Sequence, residues 1–242
     1  MVLVSHNHGF VFLKTRKTGG TSVELALEPL CRPAGASVSE ATPAIIGAEG
    51  VVGRRLTPLR GDARARPAID WRNHMPAAEI RDALGADVWR RYRRVTTVRD
   101  PFDAAVSRYH WQLARRGLPE AADFADTRAA FRDLVTGPSY ESDHDLVHLD
   151  GAFAADRVIR FETLAADLAA VRRELAPDAA PAPLPHAKRT SDRRRRPVAD
   201  YYDEASIAAV RRNGAWAIDR FGYPDRPDAG VNAHADPIEV QR

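Results

Sequence analysis

The chain has 242 residues, 44% of them hydrophobic, which is enough apolar material for a single enzyme-sized core. Its 36 basic and 33 acidic residues leave a net charge of only +3, a near balance that argues against a polyelectrolyte nucleic-acid partner. A single cysteine, Cys31, excludes an internal disulfide, no stretch approaches the roughly 18 apolar residues of a membrane span, and the N-terminus has no leader pattern, so a soluble cytoplasmic chain is expected.

The first clear element is the apolar run Phe10–Leu13, of the kind that forms an inner parallel strand. It leads into Lys14-Thr15-Arg16-Lys17-Thr18-Gly19-Gly20-Thr21-Ser22 and a helix start. Gly19 and Gly20 permit a tight turn and a close backbone approach to a ligand, and Thr21 and Ser22 are candidate caps. Unpaired N–H groups and the positive end of the helix dipole make such a start an anion cradle, to which Lys17 adds a full charge. Arginine has replaced lysine almost everywhere: the three lysines are Lys14, Lys17 and Lys188, and two of them flank this loop. A compact ammonium is not interchangeable with a guanidinium fork, so the pair fits a site needing a point charge beside a phosphate. The order Lys-Thr-Gly-Gly-Thr-Ser also differs from the triphosphate loop G-x-x-x-x-G-K-[ST], where lysine follows the glycine.

Farther on, Asp70-Trp71-Arg72-Asn73-His74-Met75-Pro76 precedes a helix predicted over 76–84. A second strand, Arg93–Val98, then runs into Arg99-Asp100-Pro101-Phe102-Asp103 and a helix with Phe102, Val106, Tyr109 and Leu113 on one face. Pro101 suits the first turn. Arg99 is thereby placed at the C-terminal edge of a strand and Ser107 about two turns into the helix, at the edge where open α/β sheets bind ligands. Residues 157–168 read as a third strand and helix, with Glu162 either tying the sheet edge to the first loop or serving as a helix-start carboxylate. A last helix follows Tyr201-Tyr202-Asp203-Glu204, with Ile207, Val210, Gly214, Ile218 and Phe221 on one face.

The loop Lys17-Thr18-Gly19-Gly20-Thr21, together with Arg99-Asp100-Pro101 and Ser107, resembles the two cofactor motifs of sulfotransferases that use 3′-phosphoadenylyl sulfate (PAPS), in particular the carbohydrate and bacterial, 2-O-sulfotransferase-like branch. The resemblance extends weakly through 157–168 and the last helix, and its weight lies on the two motifs. It implies a P-loop-like three-layer α/β fold with a central, mostly parallel sheet flanked by helices. It also implies that Arg16, Lys17, Thr18, Gly19, Gly20, Thr21 and Ser22 hold the 5′-phosphosulfate, and that Arg99 and Ser107 hold the 3′-phosphate. Lys188 and Arg189 would belong to a basic lid. Arg16 stands where the family has proline, a departure that bears on loop stiffness and brings a charge near the leaving phosphate. The implied activity is sulfuryl transfer from PAPS to a hydroxyl, or second in order an amine, of a small molecule or carbohydrate, releasing adenosine 3′,5′-bisphosphate. Lys17 would stabilise the leaving phosphate, and no metal is required.

Histidines near the acceptor in the resembled 2-O-sulfotransferases make His74 the candidate base; an imidazole titrates near neutrality. Glu40, Glu49, His110 and His144 are secondary candidates. One domain is expected over 1–224, with 33–67 and 137–151 as acceptor-side insertions, 176–197 as the basic lid loop, and a loosely ordered tail over 225–242. Within 33–67, Ile45-Ile46 and Val51-Val52 predict a short hairpin. Tyr140, Asp143, His144, Asp145 and His148 are a weak metal-ligand set and read better as a substrate-facing loop. Trp71, Trp89, Trp111 and Tyr140 are either pocket or core aromatics. Neither a nucleic acid nor a membrane is an expected partner. Two competing functions are an ATP-dependent kinase with a degenerate loop, which needs Mg²⁺, and a nucleotide- or polyanion-binding module without catalysis.

Overall fold

The computed structural model describes residues 1–39, 41–55, 69–180 and 196–227. Its strands are β1 (Leu3–Ser5), β2 (Phe10–Leu13), β3 (Ile45–Ile46), β4 (Gly50–Val52), β5 (Arg93–Val98), β6 (His148–Leu149), β7 (Ala152–Phe153) and β8 (Arg157–Arg160). Its helices are α1 (Gly20–Leu27), α2 (Ala77–Leu84), α3 (Ala86–Arg91), α4 (Pro101–Arg116), α5 (Phe124–Thr136), α6 (His144–Val147), α7 (Leu164–Leu175) and α8 (Glu204–Phe221).

Six strands form one mixed sheet in the order β3, β4, β1, β2, β5, β8. Strands β2, β5 and β8 are its parallel core, with Phe10 opposite Arg93 and Val95 opposite Arg157. The expected hairpin forms, with Ile45 opposite Val52, and β4 then pairs antiparallel with β1. Residues read as insertion therefore extend the sheet at one edge. Strand β1, which carries no turn signal strong enough to mark it in the sequence, links the two halves.

Strand alternation sorts the core into layers. Leu3, Phe10, Phe12, Val95 and Ile159 face Val23 and Leu27 of α1 and Leu168, Val171 and Leu175 of α7. Val4, Val11 and Leu13 face Trp71, Met75, Ile80 and Trp89 on the opposite side. The result is the three-layer α/β arrangement that the sequence implies. Trp71 and Trp89 are core residues, 3% and 4% exposed, and neither lines the cleft described below.

A third apolar cluster joins α4, α5 and α8 through Phe102, Val106, Tyr109, Phe131, Ile207 and Val210. Pro101 is the first residue of α4 and Asp100 its cap, accepting from the Phe102 N–H at 2.7 Å. Asp203 and Ser206 form a reciprocal cap on α8. Mid-helix Gly214 lets α8 approach α4: a Cβ there would lie 2.7 Å from the Pro101 Cβ. This close contact brings α8 over the C-terminal edge of the parallel strands.

Candidate anion-binding site

The loop from Thr15 to Gly19 leaves the C-terminal end of β2 and is fastened to β5 by hydroxyls. Thr18 Oγ1 lies 2.8 Å from Thr15 Oγ1 and 2.6 Å from Thr97 Oγ1, and Thr15 Oγ1 donates to the Thr97 carbonyl at 2.5 Å. The Thr18 side chain is thus committed to the sheet. Lys17 has φ 63°, a left-handed conformation that non-glycine residues seldom adopt. His74, at φ 53°, is another of the three non-glycine residues with positive φ among those described. Such conformations cost about 1–3 kcal/mol each and cluster at functional sites.

Gly19 is the N-cap of α1, at φ 78°, and its Cα is packed so closely that a Cβ would meet Phe161 Cδ2 at 3.0 Å. No side chain caps this helix, which corrects the expectation for Thr21 and Ser22. Both sit inside the first turn, where Ser22 donates its N–H to the Gly19 carbonyl at 2.9 Å. Gly20 opens α1, so its first amides are not taken by a capping side chain. Glycine rather than a hydroxyl stands at the cap, and Gly19, Gly20, Thr21 and Ser22 are not among the residues that line the neighbouring cleft.

Lys14 does not share the role of Lys17. It is 8% exposed and its Nζ lies 2.8 Å from Glu24 Oε2 on α1, with Arg55 3.8 Å from the same carboxylate oxygen. Its charge belongs to a buried ion cluster beneath the loop; breaking such a pair typically costs about 3–5 kcal/mol. Lys17 holds its Nζ 5.4 Å from the Trp111 ring centre, a cation–π contact that restrains the ammonium.

The second motif meets the first directly. Arg99 Nη1 donates to the Lys17 carbonyl at 2.8 Å, and Arg99 stacks 3.7 Å over the Phe161 ring. Its Nε donates to Asp103 Oδ2 at 2.7 Å, the local pairing that the four-residue spacing allows. Burial lowers the Arg99 pKa to about 10, against the raising effect of Glu162 and Asp100. Asp103, Ser107 and Trp111 are spaced four apart on α4 and so share one helical face, the face that meets Arg99 and Lys17. Ser107 is buried there, 8% exposed. Glu162 ties β8 to this second motif rather than to the first loop: it accepts from the Asp100 N–H and the Tyr223 hydroxyl, each at 2.9 Å.

Arg16, Lys17, Thr18 and Arg99 line one small cleft with Arg108, Tyr140, Asp143, Asn213 and Trp216, around a cavity of about 70 Å³. The sequence did not single out Arg108, Asn213 or Trp216 for the site. The sequence-level hint for Asn213 was its place beside Gly214, whose close approach to Pro101 brings α8 to the cleft. Arg16 is less available than expected, because its guanidinium is bound to Asp143 at 2.6 Å and Glu141 at 2.9 Å.

His74 is half-buried behind the loop. Its Nδ1 donates to the Lys14 carbonyl at 3.1 Å, since a carbonyl can only accept, and Nε2 is left carrying the lone pair in the neutral ring. Burial first, then the Lys14 charge, lowers its pKa to about 3. Among the other bases considered, His110 is buried between Tyr201 and Glu120. His144 stacks on His148 with ring centres 3.9 Å apart, and His148 packs edge-on against Trp216, so the pair lies behind the cleft wall and does not line the cleft itself. Glu40, Lys188 and Arg189 lie outside the described residues. Among the described residues no helix is long and apolar enough to cross a membrane.

No family model, curated protein or solved structure matches this chain.

Proposed function

We propose that the protein is a PAPS-dependent sulfotransferase. The observation that supports this reading is the contact between Arg99 and the Lys17 carbonyl, which joins the two candidate motifs, 82 residues apart, into one basic lip. A nucleotide with phosphate at both the 3′ and 5′ positions needs two such positions; an ordinary triphosphate needs one. In this reading the α1 amides and Lys17 take the 5′-phosphosulfate, while Arg99 and Ser107 take the 3′-phosphate.

In the transfer an acceptor hydroxyl oxygen attacks sulfur, the sulfur–oxygen bond to the 5′-phosphate breaks, and the acceptor proton leaves. Lys17 stabilises the charge that develops on the departing phosphate oxygen. His74 Nε2 is the candidate proton acceptor: the ring is neutral and oriented, although its depressed pKa of about 3 makes it a weak base until negative charge arrives nearby. A polyanionic nucleotide supplies that charge. The acceptor is a small molecule or carbohydrate hydroxyl.

The test is calorimetric titration with adenosine 3′,5′-bisphosphate, ADP and ATP, with and without Mg²⁺. Wild type should prefer the bisphosphate without metal, and Lys17→Ala and Arg99→Ala should each weaken it while remaining folded by circular dichroism. Metal-dependent preference for ATP would favour a kinase instead. Tight bisphosphate binding without sulfuryl transfer to any acceptor would favour a binding module.

A further inference from the structure

Arg16, the residue standing where the resembled loop has proline, is used twice on one carboxylate. Its main-chain N–H donates to Asp143 Oδ2 and its Nη1 to Asp143 Oδ1, both at 2.6 Å. Proline has no N–H and no side-chain donor, so neither bond is available to the usual loop. The Asp143 side chain is only 12% exposed. Burial raises its pKa, opposed by the Arg16 bonds and the nearby Arg108 charge.

A carboxylate gripped by a loop amide and a guanidinium makes the same charge-assisted bonds that a sulfate or phosphate would make. Asp143 belongs to a strap, residues 139–143, that crosses the cleft and is fastened from three elements. Arg108 on α4 donates to the carbonyls of Ser139 at 2.7 Å and Glu141 at 3.4 Å. Asn213 on α8 donates to the Tyr140 carbonyl at 2.9 Å and accepts from Ser142 Oγ at 2.7 Å through its own carbonyl. Arg16 adds Glu141 at 2.9 Å. Each of these bonds has at least one side-chain partner, so the strap can be released without breaking a strand ladder. The cavity beneath it, about 70 Å³, is far below the roughly 300 Å³ at the lower end of ligand pockets.

We propose that the Arg16 amide and guanidinium form an anion seat that Asp143 fills as an internal pseudo-ligand, and that an incoming sulfate- or phosphate-bearing ligand displaces the 139–143 strap to occupy it. The proposal rests on the reading that the 15–22 loop receives the anionic end of a nucleotide. It deepens that reading by supplying a competitor within the chain. If the strap is closed about ten times more often than open, it weakens apparent anion affinity about tenfold.

Pyrophosphate is the first probe, because it carries the anion chemistry without the nucleoside. Asp143→Asn and Asp143→Ala should bind it about tenfold more tightly than wild type. In wild type, pyrophosphate should speed amide hydrogen exchange over 139–143. Equal or weaker binding in folded variants, slower exchange over the strap on wild type, or no pyrophosphate binding to any of the proteins would overturn the proposal. If the variants fail to fold, the exchange measurement on wild type decides.

A parallel titration with adenosine 3′,5′-bisphosphate and ADP separates the two ideas. Tighter pyrophosphate binding without bisphosphate preference keeps the seat and removes the sulfotransferase reading. Bisphosphate preference without any gain in the Asp143 variants does the reverse.

Discussion

Arg99 Nη1 donates to the main-chain carbonyl of Lys17 at 2.8 Å, so the end of β5 fixes the left-handed turn at the end of β2. The same guanidinium is held by Asp103 and flattened on Phe161. A planar fork is required to serve the carbonyl and the carboxylate together, and an ammonium cannot reproduce both directions.

Arg99→Lys should therefore fail to rescue. We expect bisphosphate binding to weaken about 10- to 100-fold in both Arg99→Lys and Arg99→Ala, measured by calorimetry. Lysine restoring wild-type affinity would reduce Arg99 to a point charge.

Half-buried His74 and buried Asp100 should give opposite pH dependences of stability. His74 has a folded pKa of about 3, below its ordinary 6.5, so the unfolded chain takes up the proton first. Its contribution is present above pH 6.5 and lost as pH falls toward 3. Asp100 is raised from 3.8 to about 6, chiefly by burial, so its contribution is present below pH 3.8 and lost as pH rises through 6. In urea unfolding, His74→Gln should flatten the acid limb by about 1–3 kcal/mol between pH 7 and pH 4. Asp100→Asn keeps an oxygen for the cap and should gain on wild type, by about 1–3 kcal/mol, between pH 4 and pH 7. The same sign of slope change in both variants would contradict the assignments.

Gly214 should resist enlargement. The added methyl of Gly214→Ala would lie 2.7 Å from Pro101 Cβ, so the helix propensity gained is outweighed by overpacking. We expect a loss of about 1–3 kcal/mol in denaturant unfolding, with weaker bisphosphate binding because Pro101 and Gly214 both border the cleft. A stabilised variant would show that α8 can move outward at no cost.

The three parallel strands were legible because each carries β-branched or aromatic residues at its buried centre and is followed by a glycine, proline or acidic helix start. The apolar faces of α4 and α8 were legible from helical spacing. Strand β1 was not, because no turn signal beside it is strong enough to mark so short a strand. The helix cap at Gly19 was misassigned to Thr21 and Ser22 because residue type favours hydroxyls there, whereas the packing of Phe161 against Gly19 settles where the helix begins.

The chain order of the parallel elements, the loop that carries Lys17 and the strand edge that carries Arg99 follow from residues adjacent in the chain. How charge is distributed among them follows from packing. Lys14 and Lys17 are three residues apart, yet one is neutralised by Glu24 in the core and the other rests over Trp111 beside the cleft. Arg16 and Asp143 are separated by 127 residues and meet at 2.6 Å. Coulombic and hydrogen-bond partners act through space at a few ångströms, and no local pattern records which side chains the packed layers bring that close.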